Sequence, residues 1–283
     1  MNYRHAYHAG NFSVVLKHVV LALAIEHANL QPAAFRVLDT HAGLGRYDLA
    51  ATEAAKTGEW TAGIGRLLGP AAAAIPPQVA GHLAPYLNVV RAENPAGRLE
   101  HYPGSPLIAR RLMRPQDRLI ATELHPRDFG MLARRFMHDA QVKTIELDGW
   151  LALKAFLPPK ERRGIVLIDP PYEQRDEWQQ LAAGLIEAVR RFQGGTYLLW
   201  YPIKDPAAIS RLHDQLRATG IPKILSAQLR IRAPDDPQRL SGCGLVIVNP
   251  PWTLAASLEV VLPFLSARLA VASGGGHALR WLA

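Results

Sequence analysis

Seven apolar, β-branched runs punctuate the chain, at residues 36–39, 118–123, 142–148, 164–169, 196–201, 224–231 and 243–249. The first four close on an acid: Asp39, Glu123, Asp148 and Asp169. Helical patterns fill most of the gaps, at residues 13–26, 126–138, 150–156, 177–192, 206–219 and 253–269. Parallel strands need a crossover between them and a sheet needs both faces covered, so this alternation predicts an α/β sandwich around a parallel sheet. Residues 232–241 carry prolines and Asp235-Asp236 but no helical pattern. The last two strands are therefore expected as an antiparallel hairpin at one sheet edge. The whole reads as a Rossmann-like, seven-stranded, mostly parallel sheet. Its first two strands end 84 residues apart, where one helix usually intervenes. The alanine- and proline-rich stretch 57–101, with a helical segment at 80–91, is expected as a small inserted subdomain between the halves 1–56 and 102–283. It would either grip a substrate or cover the core.

The strongest chemical signal is Asp169-Pro170-Pro171-Tyr172, closing the fourth run. A residue before proline is held extended, and proline offers a carbonyl without an N–H. The turn therefore presents two acceptors, the Asp169 carboxylate and the Pro170 carbonyl. Two acceptors on the two hydrogens of a flat aromatic amine favour a pyramidal nitrogen with an available lone pair. Tyr172 supplies a face on which a base can stack. The end of this strand, beside the first, is the switch point where ligands bind in open α/β sheets. A near-copy, Asn249-Pro250-Pro251-Trp252, closes a strand expected to run the other way, so it is read as a structural turn. The turn Asp39-Thr40-His41-Ala42-Gly43-Leu44-Gly45-Arg46 has two glycines where a dinucleotide fingerprint wants three. Glu123 suits a pair of ribose hydroxyls, and Asp148-Gly149 an adenine amine. Lys17 and His18 lie on the first helix, either on a solvated face or over the ligand. His5 and His8 have no cysteine or carboxylate at ligand spacing, so no metal is expected.

Composition sets the setting. Of 283 residues, 49% are hydrophobic and 20% charged, with a net charge of +8. That surplus attracts phosphate backbones without reading sequence. Arginines cluster at 110, 111 and 114, at 134 and 135, at 162 and 163, and at 190 and 191. One cysteine, Cys243, excludes an internal disulfide. The sequence shows no apolar run of roughly 20 residues. A cytoplasmic chain with no membrane partner is expected.

The chain resembles the bacterial 23S ribosomal RNA adenine-N6 methyltransferase family. The likeness runs through YRHAYHAGN (3–11), VLKH (15–18), LDTHAGLGRYDL (38–49), YPGSPLIARRLMR (102–114), TELHP (122–126), RRGIVLIDPPYE (162–173), LWYP (199–202), VIVNPPW (246–252) and GGHALRW (275–281). It implies a class I methyltransferase fold and S-adenosyl-L-methionine as cofactor, held by His18, His41, Gly43, Ser105, Glu123, Asp148, Gly149 and Asp169. It implies catalysis by Asp169 with Pro170 and Tyr172, support from Lys17 and His5, and an RNA contact at Tyr3. The partner is 23S ribosomal RNA, protein-free or early in assembly, met by a monomer. Phe12-Ser13-Val14 departs from the family's more polar pattern there. Rival readings are a DNA adenine methyltransferase using the same tetrad, a protein-glutamine methyltransferase (which more often has Asn at the Asp169 position), and a non-catalytic RNA-binding protein.

Overall fold

The structure is a computed structural model that describes residues 5–172, 177–236 and 239–283. Its strands are β1 (Arg36–Asp39), β2 (Arg46–Asp48), β3 (His101–Pro103), β4 (Arg118–Glu123), β5 (Val142–Glu146), β6 (Gly164–Ile168), β7 (Thr196–Ile203), β8 (Ile224–Arg230), β9 (Gly242–Val248) and β10 (Gly276–Trp281). Its α-helices are α1 (Phe12–Asn29), α2 (Thr52–Thr57), α3 (Gly65–Leu68), α4 (Pro77–Ala92), α5 (Ser105–Leu112), α6 (Pro126–Phe136), α7 (Gly149–Phe156), α8 (Glu177–Arg191), α9 (Pro206–Ala218) and α10 (Leu254–Leu269).

All seven expected strands join one sheet, in the order β10-β8-β9-β7-β6-β1-β4-β5. The expected count of seven is corrected to eight. β10 pairs antiparallel with β8, so the β8–β9 hairpin is not the sheet edge. β9 wedges antiparallel between β7 and β8. A second, two-stranded sheet joins β2 to β3 and brings the two ends of the 57–101 stretch together.

Side chains alternate across a strand, and the alternation divides the core into two layers. Val37, Leu119, Ile165 and Leu167 face α1, α4, α5 and α10, whereas Leu38, Ile120, Val166 and Ile168 face α7, α8 and α9. α1 is apolar on nearly every side and by length and composition could cross a membrane, yet 72% of it is buried within the fold. A helix without a polar face belongs in a core. It lies against α4, α5, α10 and the sheet, which takes Lys17 and His18 out of solvent.

Candidate active site

The carboxyl ends of β1, β4 and β6 define the rim where the candidate residues meet. The turn after β1 is anchored on both sides. The Thr40 hydroxyl donates to the Leu167 carbonyl (3.0 Å), and the Thr122 hydroxyl to the Thr40 carbonyl (2.9 Å). The Gly43 amide donates to Glu123 Oε2 (2.8 Å). Gly43 sits at φ +61°, and a Cβ there would lie 2.2 Å from the Tyr47 hydroxyl, so only glycine closes this turn. The Gly104 amide donates to the Gly45 carbonyl (2.9 Å), which delivers Ser105, buried at the start of α5, to the same place.

At the centre Lys17 Nζ bonds Asp169 Oδ2, both side chains being about nineteen-twentieths buried, and His5 Nδ1 lies 3.9 Å from the same oxygen. Burial pushes the Asp169 carboxyl up, but the charge and hydrogen bond of Lys17, together with His5 and His41, outweigh it and hold it below the ordinary carboxylate range. Burial lowers His5 to about 3 and His41 to about 4, so both rings are neutral at pH 7 and Lys17 alone supplies the positive charge facing Asp169.

Three buried polar groups on this rim lack full pairing. Asp39 is 1% exposed, and neither carboxylate oxygen has a hydrogen bond of full geometry, although Ser105 and the His41 amide bear on it. Burial raises it to about 6, against the pull of Ser105 and Lys17. His18 Nδ1 bonds the Tyr102 hydroxyl (2.9 Å), which in turn bonds that of Tyr86 (3.0 Å), while His18 Nε2 has no partner. Burial and Lys17 hold His18 neutral. Glu123 accepts one backbone amide on each oxygen, from Gly43 and from His125, so each oxygen keeps a second lone pair. Burial raises its pKa against those two bonds.

Asp148 caps α7, its Oδ1 accepting from the Trp150 and Leu151 amides (2.9 and 3.0 Å). Gly149 abuts His41: a Cβ would lie 2.5 Å from the ring and 2.7 Å from the Thr40 carbonyl. Gly149→Ala is therefore expected to displace His41, destabilise the fold by about 1–3 kcal/mol and weaken cofactor binding. Thermal melting and titration calorimetry check both effects.

Tyr172 stands at φ +56°, a conformation that costs a non-glycine residue about 1–3 kcal/mol. Its hydroxyl donates to the Trp200 carbonyl (2.7 Å), and its ring meets Trp178 and Trp200 at 5.2 and 5.7 Å. The Pro170 carbonyl accepts no hydrogen bond among the described residues. The Asn249 turn lies at the other rim, where its amide donates to the Lys223 carbonyl, its side chain bonds the Gln193 and Gly195 carbonyls, and Trp252 is 81% exposed.

The structure thus gathers His5, Lys17, His18, His41, Gly43, Ser105, Glu123, Asp148, Gly149 and Asp169 on one rim. The space enclosed by His5, Lys17, His18, His41 and Ser105 is about 10 Å³, roughly one water. His5 and His8 diverge: His8 bonds Glu59 (2.9 Å), which also accepts from Asn11, the cap of α1. Tyr3 lies outside the described residues. Asp39 and Tyr102 join the site without being among the residues expected in it. The acid closing the first strand is a signal for Asp39, but nothing local marks Tyr102 as the partner of His18.

Comparison with known proteins agrees with this geometry. Residues 32–283 match the family described as ribosomal RNA large subunit methyltransferase D, RlmJ. The chain is 43% identical to ribosomal RNA large subunit methyltransferase J of Escherichia coli K12, over all of its own length and 99% of that protein. It is 42% identical to the protein of the same name from Haemophilus influenzae, again over 100% and 99%. A crystal structure of a Legionella pneumophila protein superposes with a TM-score of 0.87 at 30% identity, covering 97% of this chain and 98% of that one. The chain belongs to the ribosomal RNA large subunit methyltransferase J family.

Proposed function

We propose that the chain transfers the methyl group of S-adenosyl-L-methionine to the N6 amine of an adenine in 23S ribosomal RNA. The observation that carries this reading is an intact Asp169-Pro170-Pro171-Tyr172 turn at the switch point of a sheet that matches the family from end to end.

The rim has the donors and acceptors the cofactor needs. The unpaired Asp39 carboxylate suits an ammonium, and the unpartnered His18 Nε2 suits a carboxylate. The spare lone pairs of Glu123 suit ribose hydroxyls, and Asp148 beside Gly149 suits an adenine amine. Ser105, His41 and Gly43 shape the wall between them. When bound, the cofactor supplies an electrophilic methyl carbon on a sulfonium.

The protein's own work is to hold the target amine. Asp169 and the Pro170 carbonyl accept its two hydrogens, which aims the nitrogen lone pair and removes the orientational cost of the encounter. Lys17 keeps Asp169 ionised, and neutral His5 borders the same oxygen without adding charge. Asp169 need not be a strong base, because the N-methylated adeninium is acidic and loses its proton readily. The target base must leave its stack to reach this turn, and Tyr172, tethered to Trp200, offers the face that receives it. Stacking of this kind is worth about 1–3 kcal/mol per base. Tyr172→Ala is thus expected to lower kcat/KM for RNA by about 10- to 100-fold, and Tyr172→Phe, which loses only the tether, by less. Steady-state methylation assays distinguish the two.

Tyr3 is proposed to contact the RNA and His5 and Lys17 to support the active site, and the substrate is proposed to be protein-free or early-assembly RNA in the cytoplasm, met by a monomer. Residues 57–101 are proposed as an inserted unit between 1–56 and 102–283. The β2–β3 pairing, which joins the chain on either side of it, supports this, and Tyr86 from α4 backs the Tyr102–His18 pair. Labelled methyl incorporation into ribosomal RNA and into DNA, with the nucleosides separated afterwards, tests the reading. Label in N6-methyladenosine from RNA alone supports it, and equal labelling of DNA overturns it.

A further inference from the structure

The arginine clusters of the sequence have different fates in the fold. Arg114 is consumed by Asp117 and by the carbonyls of Asn29, Gln31 and Ala33. Arg163 is tied to the carbonyls of Ala28 and Ala33. Arg190 and Arg191 share Glu187 on the outer face of α8. These are structural staples or solvated pairs, worth little to a ligand.

Arg110, Arg111 and Arg135 behave otherwise. Together with Leu107, Phe136 and Asp139 they line a cleft of about 370 Å³, within the range of small-ligand pockets. Arg46, on β2 directly after the Asp39–Gly45 turn, joins them through Glu93. Arg46 Nε and Arg111 reach the two oxygens of that carboxylate at 3.0 and 2.8 Å. Glu93, 7% exposed at the end of α4, meets one guanidinium on each oxygen. Arg110 pairs with Asp139 at 2.6 Å. Four guanidinium groups, three lining the cleft and Arg46 joined to them through Glu93, therefore meet two carboxylates. That leaves a surplus of two positive charges at and beside the cleft. Arg135 has no ion-pair partner among the described residues. Partial burial and the like charges of Arg46 and Arg111 push its pKa below the ordinary arginine value, against the opposing pull of Glu93. The bland alternative is an ion network that ties α4 to α5 and β2. It accounts for Arg46 and Arg111, but Arg135 sits near the same Glu93 that both already pair with and makes no ion pair of its own among the described residues.

The place of the cleft matters as well. A Cβ on Gly45, in the β1–β2 turn, would meet Leu132, Phe136 and Arg135. Arg111 lies six residues along α5 from Ser105, about 9 Å at helical rise. The cleft is thus within one or two nucleotides of the proposed catalytic rim.

We propose that the Arg110–Arg111–Arg135 cleft, with Arg46 adding charge beside it, binds backbone phosphate of the RNA strand flanking the target adenine, with Leu107 and Phe136 as a floor for the sugar. This rests on the reading of the chain as an RNA methyltransferase. A guanidinium fork matches a phosphate in two bonds, and the phosphate supplies the negative charge the cluster lacks.

The test uses the full chain and a large-subunit ribosomal RNA fragment that the wild type methylates. RNA affinity is measured by fluorescence anisotropy over a salt series, and methylation kinetics are measured alongside. Arg135→Glu is expected to raise KM for RNA about tenfold, with kcat and cofactor affinity near wild type. The slope of log affinity against log salt should fall by about 0.7 for each phosphate that is no longer neutralised. Arg135→Lys should keep most of the affinity, and Arg190→Glu, the same reversal on α8, should change little. Arg135 is exposed, so its variants should melt as the wild type does. A wild type that binds and methylates RNA while Arg135→Glu matches it in KM and salt slope overturns this site alone. An equal loss in Arg190→Glu also overturns it, by showing that net charge suffices. A wild type that neither binds nor methylates RNA overturns the functional reading and the site together.

Discussion

Asp169→Ala is expected to lower kcat by on the order of 10³-fold while cofactor binding survives in part. In the proposed mechanism the carboxylate is one of two acceptors that hold the amine, and neither the Pro170 carbonyl nor Lys17 would replace it. The variant will also be less stable, since it strands Lys17, 4% exposed, without a counter-charge. Breaking a buried pair from one side costs about 3–5 kcal/mol. Lys17→Met should show a similar loss by stranding Asp169. The double variant Asp169→Ala/Lys17→Met should regain much of the stability and none of the turnover. Denaturant unfolding beside single-turnover kinetics makes that separation. Wild-type turnover in Asp169→Ala would remove this residue from the mechanism.

The second large effect has opposite signs for stability and function. Asp39 has a folded-state pKa of about 6 against an ordinary 3.8. The folded chain therefore holds this proton more tightly than the unfolded chain. Its contribution to stability is present below about pH 3.8 and is lost as pH rises through 6. At pH 7 the buried charge disfavours folding by up to about 3 kcal/mol. Asp39→Asn should raise unfolding stability at pH 7 by an amount of that order and change it little at pH 4. It should weaken cofactor binding by about 10- to 100-fold, because the ammonium loses its anion. His5, His18 and His41 act in the reverse sense. Their folded pKa values are depressed, so their contribution is full above about 6.5 and is lost as pH falls toward 4. The difference between variant and wild type across pH isolates Asp39 from that background. An unchanged stability at pH 7 would show that the carboxylate is not strained in the free protein.

What can be read from residue order alone follows from how local each signal is. Most of the seven strands are legible because their apolar runs are buried on both faces, β5 at the half-exposed sheet edge excepted, and the switch-point turn because Asp169-Pro170 fixes its own geometry. β10 is not, because GHALRW carries His277 and Arg280, follows two glycines and forms only against β8. β2 and β3 are three residues each, one ending in Pro103, too short for any period to show. Acids at strand ends mark Glu123, Asp148 and Asp169, since the position of a strand end is a local fact. Residue order leaves Lys17 and His18 open between a surface helix and a covering one. What decides it is α4, α5 and α10 closing around α1. The meeting of Arg46, Glu93, Arg111 and Arg135 depends on four separate elements and has no local signature.

The decisive measurement is a map of methylated adenines in large-subunit ribosomal RNA from cells with and without this protein. One adenine should carry an N6-methyl group only when the protein is present, and an Asp169→Ala copy should fail to restore it. Identical methylation maps in the two strains, or a lost mark on a base other than adenine, would contradict the account.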